Sequence, residues 1–294
     1  MLGSNACLII NTVLGVVSNT GADIKTMKSR MENDEEHKLL KWLTPVDYGP
    51  QQSDFIKRRQ EGTGLWLLRT DEFAIWLEQR NKTLFCSGIP GAGETILSSV
   101  IVDHLCSKYR TDTHVGIAYI YCNFQQQQQQ TPEDLLLSLL KQLLQKRSPI
   151  PESIRTLHER HRREHTRPSR TEILEALKSV GAEYTRVLII VDALDECGVS
   201  DGERREFVSA IFNLQRKTEA NLFVTSRFND AIVRLFHSAL SLQIRANEED
   251  VLSYLDRQMS FMQCDILEDD LRDRIKREVV RAADGIYANY STKH

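Results

Sequence analysis

The stretch from Lys82 to Ser99, KTLFCSGIPGAGETILSS, constrains the fold of this chain more than any other. A short β-prone run leads into a glycine-rich loop, Gly88 to Gly93, and an apolar helix is predicted to begin at Glu94-Thr95. Glycines let backbone N–H groups curl around phosphate oxygens, and the helix N-terminus adds partial positive charge. The order of strand, loop and helix therefore predicts a phosphate-binding loop.

One residue of this loop departs from the pattern G-x-x-x-x-G-K-[ST]. Gly88, Gly93 and Thr95 match it, but Glu94 stands where lysine is expected. A pair of unit charges about 4 Å apart is worth roughly 4 kcal/mol at an effective dielectric constant near 20, and about 1.4 kcal/mol is tenfold in affinity. We therefore expect weak or absent ATP binding and negligible hydrolysis on an intact fold. The residues predicted to surround the phosphates are Gly88, Pro90, Gly91, Ala92, Gly93, Glu94 and Thr95.

A second candidate segment follows about a hundred residues later, where an apolar strand ends in Asp192. A carboxylate at the end of such a strand is suited to hold Mg²⁺ beside Thr95, because Mg²⁺ prefers oxygen ligands. Asp195 and Glu196 come next, where a carboxylate can orient or deprotonate an attacking water. The alternative is a buried strand that ends in a solvated acidic turn. The two segments in this order favour the P-loop interpretation.

A third strand is predicted from Asn221 to Thr225 and is followed by Ser226 and Arg227. An arginine at that edge of the same sheet can reach a γ-phosphate and sense its presence. The alternative is an ordinary surface arginine.

Strands alternate with helices along the chain, which favours a doubly wound, mainly parallel sheet. The predicted fold class is α/β, a three-layer P-loop NTPase fold with a helical N-terminal lead-in and a helical C-terminal lid cut short. The expected division is a poorly defined segment over 1–36, the lead-in over 37–59, the P-loop domain over 60–245 and the start of a truncated lid over 246–294.

Composition places few further limits on function. The net charge of −3 and 27% charged residues are ordinary for a soluble protein and show no bias toward nucleic acid or anionic membranes. The basic region Arg160 to Arg170 lacks interleaved aromatic residues, so nucleic acid is not an expected partner. An H-x-x-E-H match at His161 to His165 lacks a third ligand and is interpreted as a solvated helix end rather than a zinc site.

Targeting and redox signals are weak. The apolar run 7–17 is too short to span a membrane, and no lysine or arginine precedes it, so neither a cleaved signal nor a membrane partner is expected. The six cysteines are scattered, without a C-x-x-C pair, and are interpreted as reduced thiols in a cytoplasmic protein.

Together the segments 88–95, 192–196 and 225–227 resemble the NACHT class of signal-transduction P-loop NTPases, which belong to the STAND group. More narrowly, the chain resembles the fungal NACHT proteins related to heterokaryon-incompatibility proteins and to the nephrocystin-3-like N-terminal NTPase region. The flanking segments 42–68 and 188–207 are similar to that fungal group, and the resemblance covers about residues 37–285.

This resemblance implies a switch that binds ATP or GTP with Mg²⁺ and self-associates when activated. It assigns Gly88, Gly91 and Gly93 to the phosphates, Thr95 and Asp192 to Mg²⁺, Asp195 and Glu196 to hydrolysis, and Arg227 to sensing. The chain departs from the family at Glu94, in the absence of a following repeat array, and in its tail after Gly285. A truncated or degenerating copy is therefore expected, with nucleotide as ligand and enzymatic activity in doubt. The alternative is a non-catalytic interaction or decoy module that keeps the fold.

Overall fold

The structure is a computed structural model that describes residues 27–28, 30–125, 130–197, 200–245, 247–261 and 269–291. The apolar run 7–17 considered as a targeting segment lies outside these residues.

A five-stranded parallel sheet forms the centre of the molecule, with the strand order β2-β3-β4-β1-β5. Where β1 pairs with β4, Gly88 lies opposite Arg227, and where β2 pairs with β3, Tyr121 lies opposite Asp192. The carboxyl ends of neighbouring strands therefore meet at one edge of the sheet, which is where open parallel sheets place their ligands. The strands are β1 (Thr83–Gly88), β2 (Val115–Tyr121), β3 (Arg186–Asp192), β4 (Asn221–Arg227) and β5 (Leu240–Ile244).

Helices cover both faces of this sheet. Along β3, Ile189 and Val191 pack into one apolar core with α5, α7 and α8, whereas Leu188 and Ile190 pack into another with α3 and α4. Successive side chains of a strand point to opposite faces, so a continuous apolar run fits a sheet that is buried on both sides. The predicted three-layer α/β fold is confirmed. The helices are α1 (30–43), α2 (Gly49–Arg58), α3 (Asp71–Glu78), α4 (Glu94–Lys108), α5 (Pro132–Gln145), α6 (Glu152–Glu164), α7 (Arg170–Ala182), α8 (Asp201–Thr218), α9 (Asp230–Leu235), α10 (Glu248–Phe261) and α11 (Asp269–Ser291).

Capping boxes mark the starts of the helices α5 and α7. Thr131 and Asp134 form a capping box with Pro132 at the first helical position, and Ser169 and Glu172 form another. Each box satisfies backbone N–H groups that the first helical turn leaves without partners. These caps fix the ends of two helices that bury their leucine and isoleucine side chains on the sheet.

The segment predicted as a lead-in contributes directly to the main core. Leu39, Leu43 and Tyr48 are buried in the same apolar cluster as α5 and β2. The ammonium of Lys141 on α5 donates to the carbonyl oxygens of Thr44 at 3.0 Å and Val46 at 2.8 Å. The lead-in is thus held by apolar burial and by a charged hydrogen-bond donor.

The helices after β5 return to the loop that precedes α3. The carboxylate of Asp250 on α10 accepts from the backbone N–H of Gly64 at 2.8 Å. Lys276 on α11 pairs with Asp256 on α10 at 2.5 Å. None of the helices in the described residues has the length and apolar character needed to cross a membrane.

The expectation that all six cysteines are reduced is wrong for one pair. Cys122 and Cys197 form a disulfide across 75 residues, with their Cα atoms 5.0 Å apart. Cys122 directly follows β2, and Cys197 follows a short turn after β3, so two adjacent strands deliver them to one place. The spacing of the cysteines along the sequence does not indicate this pair, because only the adjacency of β2 and β3 in the sheet brings the two residues together. Cys86 and Cys106 are free.

Alkylation of the denatured chain tests this pair directly. We expect two fewer reactive thiols without a reductant than with one, because one disulfide removes two thiols. Mass spectrometry after iodoacetamide treatment gives the count. In the variant Cys197→Ser the difference should vanish; equal counts for the unaltered chain would contradict the disulfide.

Candidate functional site

The glycine-rich loop joins β1 to α4 at the carboxyl edge of the sheet. Gly91 and Gly93 have φ angles of +85° and +88°, a left-handed conformation that glycine adopts without steric cost. The N–H of Ala92 donates to the carbonyl oxygen of Ile89 at 3.0 Å and tightens the turn. The loop thus leads directly into the first turn of α4, the arrangement expected of an anion-binding loop.

The side chain of Glu94 folds back across this loop. A methyl group added at Gly88 would lie 2.6 Å from the Oε1 atom of Glu94 and 3.3 Å from its carboxyl carbon. The last residue of the loop therefore reaches back to its first residue. The glutamate side chain lies against Gly88, at the start of the loop.

The electrostatic surroundings of Glu94 are acidic. Burial, together with the nearby carboxylates of Asp195 and Asp192, raises the pKa of Glu94 to about 8. Glu196 acts in the same direction, while the guanidinium of Arg227 opposes it. The Glu94 carboxyl is therefore mostly protonated at neutral pH, which removes one negative charge from the cluster.

Stability should depend on pH through this carboxyl. Its pKa is 4.5 when unperturbed and about 8 when folded, so the folded state keeps a proton that the unfolded chain has released. Stability is lost as pH rises through that window. We expect Glu94→Gln to be more stable than the unaltered chain by about 1–2 kcal/mol at about pH 9, after discounting for solvent exposure. Thermal melts should show little difference at about pH 4.5.

Glu78→Gln is the matched control for this experiment, because Glu78 is exposed at the end of α3. That control should show no stabilisation that grows with pH. A stability difference for Glu94→Gln that stays constant from about pH 4.5 to about pH 9 would contradict the buried, protonated carboxyl.

Asp192 ends β3 and is 2% exposed. Its carboxylate accepts from three hydroxyl groups, those of Thr95 at 2.8 Å, Ser98 at 2.6 Å and Thr225 at 2.8 Å. Burial raises the pKa of Asp192 above its ordinary value, although these three hydrogen bonds act to lower it. The aspartate is held rigidly beside the first turn of α4.

The donor atoms around Asp192 fit Mg²⁺. The carboxylate and the Thr95 hydroxyl are hard oxygen donors in direct contact, as Mg²⁺ prefers. No group of three or more His, Cys, Asp or Glu side chains in the described part of the chain is arranged to hold a metal ion. A magnesium ion here would therefore depend on phosphate oxygens and waters for its other ligands.

Sequence reasoning missed two of the three hydroxyls that hold Asp192. Ser98 lies three residues after Thr95, so both face the same side of α4, and this spacing was a usable signal. Thr225 lies within β4 and received no role, because only the adjacency of β3 and β4 brings it to Asp192.

The acidic turn after β3 holds Arg227. The N–H of Arg227 donates to Asp195 Oδ1 at 2.9 Å, and its guanidinium Nη2 lies 2.7 Å from Glu196 Oε1. Its Nε lies 3.6 Å from Asp195 Oδ2. The predicted hydrolytic pair and the predicted sensor thus meet, but their charges are satisfied by each other.

Arg204 on α8 binds the backbone of this turn, a role that sequence reasoning missed. Its guanidinium donates to the carbonyl oxygens of Leu194 at 3.1 Å and Asp195 at 2.9 Å, and it pairs with Asp201. An arginine within a charged helix gives no sequence signal for such a contact. The turn is therefore held by Arg227 through its carboxylates and by Arg204 through its backbone carbonyls.

A cavity of about 410 Å³ lies beside the loop. Gly91, Ala92 and Gly93 form one wall, and the segment 58–66 and α10 form others. Its apolar lining includes Trp66, Ile96, Val251, Tyr254 and Leu255. A flat ring attached to a phosphate chain would find an apolar environment here.

The histidines of the H-x-x-E-H match do not converge. His161 is buried, with Nδ1 at 2.7 Å from the hydroxyl of Thr166, whereas His165 ends α6 in a left-handed conformation and is exposed. The match is part of a helix end, although His161 packs inward where a solvated face was expected.

The parallel sheet, the glycine-rich loop between β1 and α4, and the buried aspartate at the end of β3 define a P-loop NTPase-like fold. A sequence profile of the nephrocystin 3 N-terminal family matches residues 62–227, more than half of the chain. The chain belongs to the nephrocystin 3 N-terminal family, and the matched region contains the P-loop module from the glycine-rich loop to Arg227. Comparison with curated protein sequences gives no significant match.

Several solved structures resemble the chain. A DNA replication initiation factor is 15% identical to this chain, with a TM-score of 0.41. The match covers 81% of this chain and 64% of that protein. The Orc1 protein of Aeropyrum pernix in complex with DNA is 16% identical to this chain, with a TM-score of 0.47. The match covers 69% of this chain and 50% of that protein. The replication initiator DnaA bound to AMPPCP and single-stranded DNA is 15% identical to this chain, with a TM-score of 0.41. The match covers 78% of this chain and 62% of that protein. The chain spans less than two thirds of each of these proteins.

These structures correct one expectation from the sequence. Two of the three proteins were solved with DNA, so the exclusion of nucleic acid as a partner is wrong. The exclusion rested on two observations, the lack of interleaved aromatic residues in the basic region Arg160 to Arg170 and the net charge of −3. A net charge averages over the whole surface and does not describe any one face.

Proposed function

We propose that this chain is a NACHT-type nucleotide-binding signalling module of the STAND group, akin to the fungal proteins, whose site has low affinity for ATP or GTP. The observation that carries the proposal is the position of Glu94. Its carboxyl reaches back to Gly88 inside an otherwise well-formed loop, among Asp192 and Asp195. A phosphate chain that enters the loop must displace this side chain and approach carboxylates without the usual lysine.

The remaining binding residues are suited to Mg²⁺-nucleotide. Gly88, Gly91 and Gly93 would face the phosphates with backbone N–H groups, and Thr95 and Asp192 would hold Mg²⁺. When bound, the ion would neutralise part of the phosphate charge. Ser98 and Thr225 keep the Asp192 carboxylate in place for this role.

Hydrolysis requires a further change in this proposal. Asp195 and Glu196 would orient the attacking water, and Arg227 would contact the γ-phosphate. In the structure these three side chains bind one another, so none is directed to a nucleotide. Negligible turnover follows from this arrangement.

The cavity beside the loop would receive the base. Trp66 and Tyr254 offer aromatic faces for a purine, and α10 closes one side. In this proposal the P-loop domain covers residues 60–245, and α10 and α11 begin a helical lid. The proposal includes both ATP and GTP as ligands.

A second function is favoured by the same glutamate. A chain that keeps the sheet, the loop and the clamped acidic turn but lacks the lysine would serve as a non-catalytic interaction or decoy module. The two functions differ in whether nucleotide binds at concentrations found in cells, which calorimetric titration of the unaltered chain decides.

Phosphate release from Mg²⁺-ATP and Mg²⁺-GTP tests the absence of turnover. We expect the purified chain to release no more phosphate than Asp192→Ala, since neither has a site arranged for hydrolysis. Robust release by the unaltered chain that Asp192→Ala abolishes would overturn the proposal.

A further inference from the structure

A second cavity, of about 520 Å³, lies at the opposite edge of the sheet from the glycine-rich loop. Its walls come from the start of β1, the last turns of α8 and the turn between α9 and β5. Because β1 runs from Thr83 to Gly88, roughly 17 Å of strand separates this cavity from the loop. The two sites are therefore spatially distinct.

Basic side chains line this cavity, and no aspartate or glutamate does. Lys82 and Arg216 form no ion pair within the described part of the chain, and Glu219, the acidic residue nearest to Arg216 in sequence, pairs with Arg80 instead. The third group is His237, whose Nδ1 donates to the carbonyl oxygen of Arg234 at 3.1 Å. In its imidazolium form the Nε2–H of this ring can donate to an anion. Concave surfaces of one charge sign concentrate ions of the opposite sign.

The floor of the cavity is aromatic and firmly packed. Phe236 is 5% exposed and stacks on Phe85 with 4.7 Å between ring centroids, and it meets Phe212 edge to face at 5.3 Å. Beside it, the amide of Gln215 is buried and bonded to the hydroxyl of Thr83 at 3.1 Å. A flat apolar group can therefore pack against a preformed wall.

We propose that this cavity binds a small organic anion. Lys82, Arg216 and His237 would hold the anionic group, and the apolar part of the ligand would lie against Phe212 and Phe236. Guanidinium and ammonium groups favour phosphate and carboxylate oxygens, and an aromatic surface adds affinity for a ring. The charge at the two ends of the sheet is opposite, since carboxyl groups crowd the glycine-rich loop and basic groups line this cavity.

Phenyl phosphate is the probe for this site, titrated calorimetrically at low ionic strength, with inorganic phosphate for comparison. We expect saturable binding of phenyl phosphate and at least about tenfold weaker binding of inorganic phosphate, because the latter lacks the ring. The double variant Lys82→Ala/Arg216→Ala should weaken phenyl phosphate binding at least about tenfold. Arg216 is exposed and Lys82 is half-buried, so thermal melts check that the fold is unchanged. If the double variant is destabilised, Arg216→Ala alone serves.

Two further variants locate the bound probe. Lys217→Ala removes the exposed basic residue next to Arg216 that does not line the cavity, and it should leave binding unchanged. Thr95→Ala changes the first turn of α4 beside the glycine-rich loop, so it reports phenyl phosphate that binds there instead. Binding in the second cavity should not depend on it. Absence of binding, equal binding by the double variant, or loss of binding only in Thr95→Ala would each overturn the proposal.

Discussion

Replacing Glu94 with lysine is expected to tighten the binding of Mg²⁺-ATP by at least about a hundredfold. The new ammonium would stand among Asp192, Asp195 and Glu196, which keep it charged, and it would attract the phosphates. A charge pair near 4 Å contributes roughly 4 kcal/mol at an effective dielectric constant of about 20, of which about 2.7 kcal/mol suffices for a hundredfold gain. Isothermal titration of both proteins at the same pH measures the ratio.

Glu94→Gln separates the two effects of the glutamate. It removes the titrating carboxyl but supplies no positive charge. Since the pKa of Glu94 is about 8, glutamine should change affinity little at about pH 7 and improve it at about pH 9, where the native carboxyl is charged. If Glu94→Lys and Glu94→Gln bind Mg²⁺-ATP equally at about pH 7, the missing lysine charge is not the cause of weak binding.

Leu43→Ala is expected to destabilise the whole domain by about 2–5 kcal/mol. Leu43 is 1% exposed and packs from α1 into the core that also contains α5 and β2. Truncation would leave a cavity where the lead-in meets the sheet layer, and a chemical denaturation midpoint at constant slope reports the loss.

Lys41→Ala is the matched control, because Lys41 lies on the same helix and is exposed. It should change stability by less than about 0.5 kcal/mol. A loss below about 1 kcal/mol for Leu43→Ala would show that α1 is not an integral part of the core.

The sequence predicted the architecture well because its signals are local. Apolar runs of strand length and the glycine-rich loop each specify an element from a few neighbouring residues. Alternation of these elements then leaves few arrangements other than a parallel sheet covered on both faces.

Other features of the site depend on contacts between distant segments. The bond between Cys122 and Cys197, the hydrogen bond from Thr225 to Asp192 and the clamp by Arg204 all arise after neighbouring strands align. No spacing along the chain encodes them. The sequence identified the charge of Glu94 but not its protonation, which results from burial beside other carboxylates.

Arg227 illustrates the same limit. Its place at the end of β4 followed from the sequence, since it comes directly after an apolar strand. Its ion pair with Glu196 and its contacts with Asp195 did not, because they require β3 and β4 to be neighbours. The predicted sensor role of Arg227 remains a prediction.

The measurement that tests the central claim most directly is a calorimetric titration of Mg²⁺-ATP into the unaltered chain at about pH 7.5. If the Glu94 side chain lies against Gly88 in the glycine-rich loop as described, binding should be in the millimolar range or weaker. This corresponds to a binding free energy of about −4 kcal/mol or a less negative value. Saturable micromolar binding would show that the loop accepts phosphate despite Glu94 and would contradict the account.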